Sequence, residues 1–171
     1  EEHSHAGMAN RYVAGAARLP FAVMRGYTGT DLLQHTRVEP ITCPFTGEQL
    51  VAVPALTPDV AIVHAQEADS SGNVQLWGIP GVQKEAVLAA KRAVVTVERI
   101  VEELEPRPGA VVIPAWVIDY VAEAPHGSQP SYALGMTTRD NDFYKEWDPI
   151  SRDRERFLAW MDEHVLKGVA A

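Results

Sequence analysis

The chain has 171 residues, 46% of them apolar and 22% charged, the composition of one soluble domain with a buried core. Fifteen basic residues against 23 acidic ones give a formal charge of −8, which argues against nonspecific nucleic-acid binding without excluding a local basic patch for a phosphorylated ligand. A lone cysteine, Cys43, excludes an internal disulfide framework and fits a reducing cytoplasm, while no apolar run nears the ~20 residues of a membrane span and no signal peptide is visible.

The first residues are Glu1-Glu2-His3-Ser4-His5, with no initiator methionine, and the last seven stop without a clear cap. Both ends read as cuts, so residues 1–171 are expected to be a single-domain fragment of a longer chain. Residues 6–18 have helical spacing, with Ser4 as N-cap. Gly7 and Gly15 lower the propensity of that helix and point to close packing against another element. A short apolar run, 21–24, leads into a loop with Gly26 and Gly29. Residues 38–43 and 48–53, joined around Thr46-Gly47, read as a β-hairpin.

Residues 59–65 are the apolar run of a buried strand, and 68–73 are a turn in which Gly72 and Asn73 suit left-handed backbone. Residues 74–77 read as a second strand, 82–91 as a helix and 93–97 as a third strand. That succession indicates an α/β sheet with a crossover helix, and ligands of such sheets bind beyond the carboxyl ends of the strands. Residues 98–104 read as a short helix or tail. Strands follow at 110–113 and 117–122, divided by Pro114. One helical turn is expected at 142–147, and a helix capped by Ser151 at 151–166, with Phe157, Trp160, Met161 and Val165 as its apolar stripe.

Few residues signal chemistry on their own. His3 and His5 beside Glu1 and Glu2 have no matching distant ligand pair, so they read as an exposed polar terminus and no metal site is assigned. His64 reads as a hydrogen-bonded core residue, His126 as a loop residue, and Cys43 as a buried hairpin thiol. Lys91 and Arg92 read as cations closing a helix. There is no G-x-S-x-G elbow and no P-loop. Asp69 and Asn73 bracket a turn that either only connects strands or touches a ligand.

Taken together, three motifs are more specific. Cys43-Pro44-Phe45-Thr46-Gly47-Glu48 followed by Val53-Pro54-Ala55-Leu56, then Ala68-Asp69 to Gly72-Asn73, then Ala89-Ala90-Lys91-Arg92 to Val97-Glu98 resemble the α (alpha) subunit of family I coenzyme A transferases, glutaconate CoA-transferase type. Glu2-His3-Ser4-His5 resembles that family's Glu-Tyr-Ser-His segment, with His3 in place of Tyr, and Leu19-Pro20-Phe21 and Gly29-Thr30-Asp31 fit the same pattern. The resemblance implies a three-layer α/β/α fold with an open, mostly parallel sheet, incomplete at the N-terminus. It also implies a homologous β (beta) subunit in a heterodimer or heterotetramer, with the active site at their junction. Coenzyme A enters as the acyl-CoA substrate, with a carboxylic acid as acceptor and no permanently bound cofactor. A glutamate carboxylate attacks the thioester and becomes a glutamyl-CoA thioester. That glutamate belongs to the partner, so it is not assigned to Glu1, Glu2, Glu48, Glu67 or Glu98.

On this chain the resemblance places the segment around Glu2 and Ser4 at the end of a central strand facing the junction. Glu2 would orient substrate or move a proton, and Ser4 would bind the acyl carboxylate. Gly26, Gly29 and Thr30, with Asp69, Gly72 and Asn73, would wall the pocket. Two alternatives stay open: a ring-opening hydrolase of CoA esters on the same fold, and a non-catalytic subunit or remnant.

Overall fold

A computed structural model describes residues 1–167. The chain divides into two compact units, Glu1–Gly127 and a second that begins at Ser128.

The first unit opens with helix α1, His5–Ala16. Ser4 caps it, its hydroxyl oxygen accepting the Gly7 N–H at 3.0 Å. Both glycines sit where the helix meets a neighbour. A Cβ on Gly7 would lie 1.7 Å from the Tyr27 hydroxyl, and one on Gly15 would lie 2.2 Å from the Leu56 carbonyl oxygen. Strand β1, Phe21–Met24, and the short helix α2, Leu32–His35, follow. The expected hairpin is β2, Glu39–Thr42, with β3, Gln49–Pro54, turning at Gly47 with φ of 73°. β3 lies between β1 and β2 in an antiparallel three-stranded sheet. One face of that sheet packs Val51 and Val53 against Tyr27 and Val38.

The second sheet carries the main core. It comprises β4 (Val60–Asp69), β5 (Val74–Leu76), β6 (Arg92–Val101), β7 (Val111–Ile113) and β8 (Tyr120–Glu123), in the order β7-β5-β4-β6-β8. Helix α3, Gln83–Ala89, joins β5 to β6, so β4 and β6 run parallel. β6–β8 is also parallel, whereas β4–β5 and β5–β7 are antiparallel. The α/β class stands, with the parallel half of a mixed sheet on one side of β4. Small and β-branched residues that alternate along β4 and β6, Ala61, Val63 and Ala65 with Ala93, Val95 and Val97, form the buried face together with Val87 of α3.

Several local expectations change. β6 does not give way to a helix after Val97 but continues to Val101, because Glu98 and Arg99 find polar partners on β4. Lys91 and Arg92 do not close a helix: α3 stops at Ala89, Lys91 pairs with Asp59 and Arg92 opens β6. Ala115–Val117 form a 3-10 turn before β8, in place of a strand from residue 117.

In the second unit, helix α4 spans Asn141–Ser151, longer than one turn, and helix α5 spans Arg154–Met161. The cap of α5 is Asp153, not Ser151, because the Asp153 carboxylate accepts from both Glu155 N–H and Arg156 N–H while Ser151 still belongs to α4. Phe143, Trp147 and Trp160 stack where these two helices meet.

Candidate active site

Parallel strands β4 and β6 end together, and their last turns carry the densest polar cluster of the first unit. His64 lies opposite Thr96 in the ladder. Its Nε2 is 2.9 Å from Glu98 Oε1 and its Nδ1 is 2.9 Å from Thr96 Oγ1. A carboxylate only accepts, so Nε2 carries the proton. Glu98 is 6% exposed, and its other oxygen accepts the His126 N–H at 2.7 Å. Burial pushes the Glu98 carboxyl up, but the His126 N–H and the His64 imidazole outweigh it and hold the group below the ordinary carboxylate range. His126 adopts φ of 64°, and a Cβ on Gly127 would lie 2.8 Å from the His64 ring. The imidazole, the carboxylate and the loop after β8 thus form one locked unit, and His64 is the hydrogen-bonded residue its apolar strand suggested. One position further along, buried Glu67 accepts from Arg99 Nε at 2.9 Å and Nη2 at 2.5 Å.

Beyond these strand ends lies the turn 70–73. Asp69 accepts the N–H groups of Ser71 and Asn73 and the Asn73 side-chain amide. Burial raises the Asp69 carboxyl, yet these donors, the Asn73 amide foremost, bring it below its usual value. Asn73 Oδ1 in turn accepts from Ala115 N–H at 2.9 Å. Gly72 takes φ of 87°, and a Cβ there would touch Ala115 at 3.5 Å. The turn is rigid and presents its edge beyond the sheet.

Residues 1–4 precede α1 and are not in a strand, because among the described residues no neighbouring strand offers them a ladder. The side chain of His3 is 1% exposed, which corrects the expectation of an exposed terminus. Its Nε2–H donates to Glu1 at 3.3 Å, and its Nδ1 accepts the Tyr27 hydroxyl at 3.0 Å. The Tyr27 partner, 24 residues on, is what sequence spacing alone does not reveal. Thr36 Oγ1 donates to the Glu2 carbonyl, while Glu2 itself is exposed. Thr30 donates through both N–H and hydroxyl to the Tyr27 carbonyl, and Tyr27 and Gly29 hold φ of 73° and 77°. Residues 1–4 and the loop of Gly26, Gly29 and Thr30 therefore meet at Tyr27, while the turn of Asp69, Gly72 and Asn73 is bonded to Ala115 and, through Ser70, to Glu102.

Ser4→Ala removes the α1 cap and should cost about 1 kcal/mol, a fall in Tm of roughly 2–4 °C in a thermal melt. Cys43 is half-buried, not buried, because it sits on the hairpin turn where only one side faces the sheet. Donation from the Thr46 hydroxyl, then from the Phe45 and Thr46 N–H groups, lowers its thiol pKa. Among the described residues no group of three or more His, Cys, Asp or Glu side chains is arranged to hold a metal ion, and no helix is long and apolar enough to cross a membrane.

Comparison with known proteins puts these features in context. The family model described as Coenzyme A transferase matches residues 1–124. Over 166 residues the chain is 58% identical to the α-type subunit of the 3-oxoadipate CoA-transferase of Pseudomonas knackmussii, covering 96% of this chain and 59% of that protein. It is 35% identical over 146 residues to the cholesterol ring-cleaving hydrolase IpdA subunit of Mycobacterium tuberculosis, covering 78% of this chain and 50% of the relative. The crystal structure of glutaconate coenzyme A-transferase from Acidaminococcus fermentans superposes with a TM-score of 0.87 at 32% identity, over 98% of this chain and 59% of that one. The chain thus spans between half and three-fifths of the length of these relatives. With the sheet order, the capped N-terminal segment and the rigid turn beyond β4 all in place, the chain belongs to the coenzyme A transferase family.

Proposed function

We propose that this chain is the α subunit of an acyl-CoA:carboxylate CoA-transferase, completed by a homologous β subunit that supplies the nucleophilic glutamate. The observation that carries the reading is the 58% identity, over 96% of the chain, to the α-type subunit of a 3-oxoadipate CoA-transferase. The chemistry of this chain's own carboxylates supports it. A nucleophilic carboxylate must reach a thioester carbonyl with a lone pair free. Glu98 is bound by His64 and the His126 N–H, and Glu67 is bound by Arg99, so both buried glutamates are engaged.

The partner's glutamate oxygen attacks the acyl-CoA carbonyl, and the CoA thiolate leaves, giving a mixed anhydride. The thiolate then attacks the glutamyl carbonyl, freeing the donor acid and leaving glutamyl-CoA. The acceptor carboxylate reverses both steps. Exchange of one thioester for another keeps the reaction near thermoneutral, and a covalent intermediate divides one hard step into two. On this chain, exposed Glu2 orients substrate or moves a proton, and Ser4 hydrogen-bonds the acyl carboxylate. The Gly26, Gly29 and Thr30 loop and the Asp69, Gly72 and Asn73 turn wall the pocket. The acyl class we favour is dicarboxylic, 3-oxoadipate first, after the substrate named for the relative. Action in the cytoplasm, as a heterodimer or heterotetramer with its partner, is part of the same reading.

The test is CoA exchange from an acyl-CoA to 3-oxoadipate by this chain produced together with a β subunit, and by each protein alone. Activity is expected only in the mixture, with a borohydride-trapped CoA adduct on the β subunit. Glu2→Ala should lower kcat/KM at least tenfold, and a change within twofold would remove Glu2 from the site. The likeness to a ring-cleaving hydrolase subunit favours a second reading, hydrolysis of a cyclic CoA ester. It predicts turnover without any trapped adduct.

A further inference from the structure

The motif Cys43-Pro44-Phe45-Thr46-Gly47-Glu48 helped carry the family resemblance, yet no step of the reaction uses it. It forms the tip of the β2–β3 hairpin, and Phe45 stands there 93% exposed. The tip is stiff. Cys43 N–H donates to the Glu48 carbonyl at 2.8 Å, and Gly47 N–H donates to the Cys43 carbonyl at 2.9 Å. Pro44 fixes its own φ. Arg25, just past β1, clamps Glu48 through two bonds of 2.7 and 3.0 Å. Holding a large ring out on a rigid turn costs hydration at the tip, while docking it elsewhere loses little conformational entropy.

The patch continues behind the tip. On the sheet face opposite Val51 and Val53, Val23 pairs with Ala52 and Ile41 pairs with Leu50, and Phe21 lies beside them at the edge. Phe21 and Val23 are both about half-exposed. Together with Phe45 they offer on the order of 400 Å² of apolar surface, about half of the ~800 Å² that one partner contributes to an interface of standard size. A protruding aromatic needs a concave, apolar receiver. The recess of about 260 Å³ on this chain is rimmed by Arg18, Lys91 and Asp119, which suits a phenyl ring poorly and argues against a second copy. Arg25 is neutralised by Glu48, so the tip has no charge for a nucleic acid or an anionic surface.

Resting on the two-subunit reading, we propose that Phe45 is an anchor that seats this chain on the β subunit by entering an apolar pocket there. The sequence supplies its own reporter. Cys43, two positions away, is the chain's single thiol, half-exposed and made more acidic by the turn's donors. It should be alkylated readily when the tip is free and slowly when the tip is seated.

Association with purified β subunit, together with alkylation of Cys43 by N-ethylmaleimide, tests the anchor in the wild-type chain, Phe45→Ala and Phe45→Leu. Phe45→Ala should weaken association about 30-fold, as expected for a central aromatic anchor. Phe45→Leu should stay within about fivefold, because most of the apolar contact survives. The β subunit should slow alkylation of the wild-type chain at least tenfold, and should leave Phe45→Ala unprotected at the same concentration. Association within twofold for Phe45→Ala, or alkylation of the wild-type chain unchanged by the β subunit, would overturn the anchor alone. A lower Tm for isolated Phe45→Ala would do so too, since it would mean that the ring is covered by its own polypeptide. Failure of the wild-type chain to bind the β subunit would overturn the two-subunit reading and the anchor together.

Discussion

Gly15→Ala should destabilise the first unit by about 3 kcal/mol, although alanine is the better helix former. Helix propensity favours the change by up to ~1 kcal/mol. Against it, the new Cβ would lie 2.2 Å from the Leu56 carbonyl oxygen and 3.0 Å from the Ala89 Cβ. The oxygen is a backbone atom and cannot swing away. Leu56 N–H donates to the Arg11 carbonyl at 3.0 Å, Ala55 N–H donates to the Pro20 carbonyl at 3.0 Å, and Arg11 Nε holds the Pro54 carbonyl at 3.1 Å. Helix α1 must therefore move off both β3 and α3, the overpacking penalty at the upper end of its range. A thermal melt should show Tm falling by roughly 6–12 °C. A fall of less than 2 °C would mean that α1 is not seated against Leu56 as described. Gly7→Ala is the milder control: its Cβ meets the far end of the Tyr27 side chain, so the expected loss is the His3–Tyr27 hydrogen bond more than the helix itself.

Glu98→Gln should be the second large effect, about 3 kcal/mol, with a pH signature that a packing defect lacks. The amide keeps the shape of the carboxylate but turns one acceptor into a donor. That donor must then face either the His64 Nε2–H or the His126 N–H, and a buried donor goes unsatisfied. In the folded chain the Glu98 carboxyl sits below its ordinary value. Its contribution is therefore fully present above the unfolded value, about pH 4.3, and is lost as pH falls through the lower folded value. Urea midpoints at pH 6.5 and in the acid range should differ more for the wild-type chain than for Glu98→Gln. Equal slopes would show that the carboxylate is not what holds the loop after β8. Asp69 is displaced in the same direction and adds to the acid sensitivity of both proteins, so only the difference between them reports on Glu98.

Much of this architecture is written locally. The Ser4 cap, the two close-approach glycines of α1, the hairpin around Gly47 and the strand–turn–strand of β4 and β5 each rest on residues within one short window. What local pattern could not show lies in pairings between windows. Residues 98–101 lack the alternation of a half-buried strand because their polar side chains answer His64 and Glu67 on the neighbouring strand. Buried His3 looks like a solvated terminus until the Tyr27 hydroxyl is placed against it. Ser151 and Asp153 are both good caps by type, and the choice falls to Asp153 because α4 runs on through Pro149 and takes Ser151 as its last residue. The candidate site was legible in the same uneven way. The turn after β4 followed from its glycine and asparagine, but the locked imidazole–carboxylate unit joins three separate strands and loops.

The two sides of β4 also differ in how they come together. Toward β5 it meets a segment close in sequence, Glu67 opposite Gln75. Toward β6 it meets one that arrives only after α3 has been laid down, Val60 opposite Arg92. Closing the longer loop costs more chain entropy, so the order of assembly is set by connectivity before any side chain packs. The hairpin side nucleates early and the crossover side completes late, and the carboxylate end of the sheet matures with the later event.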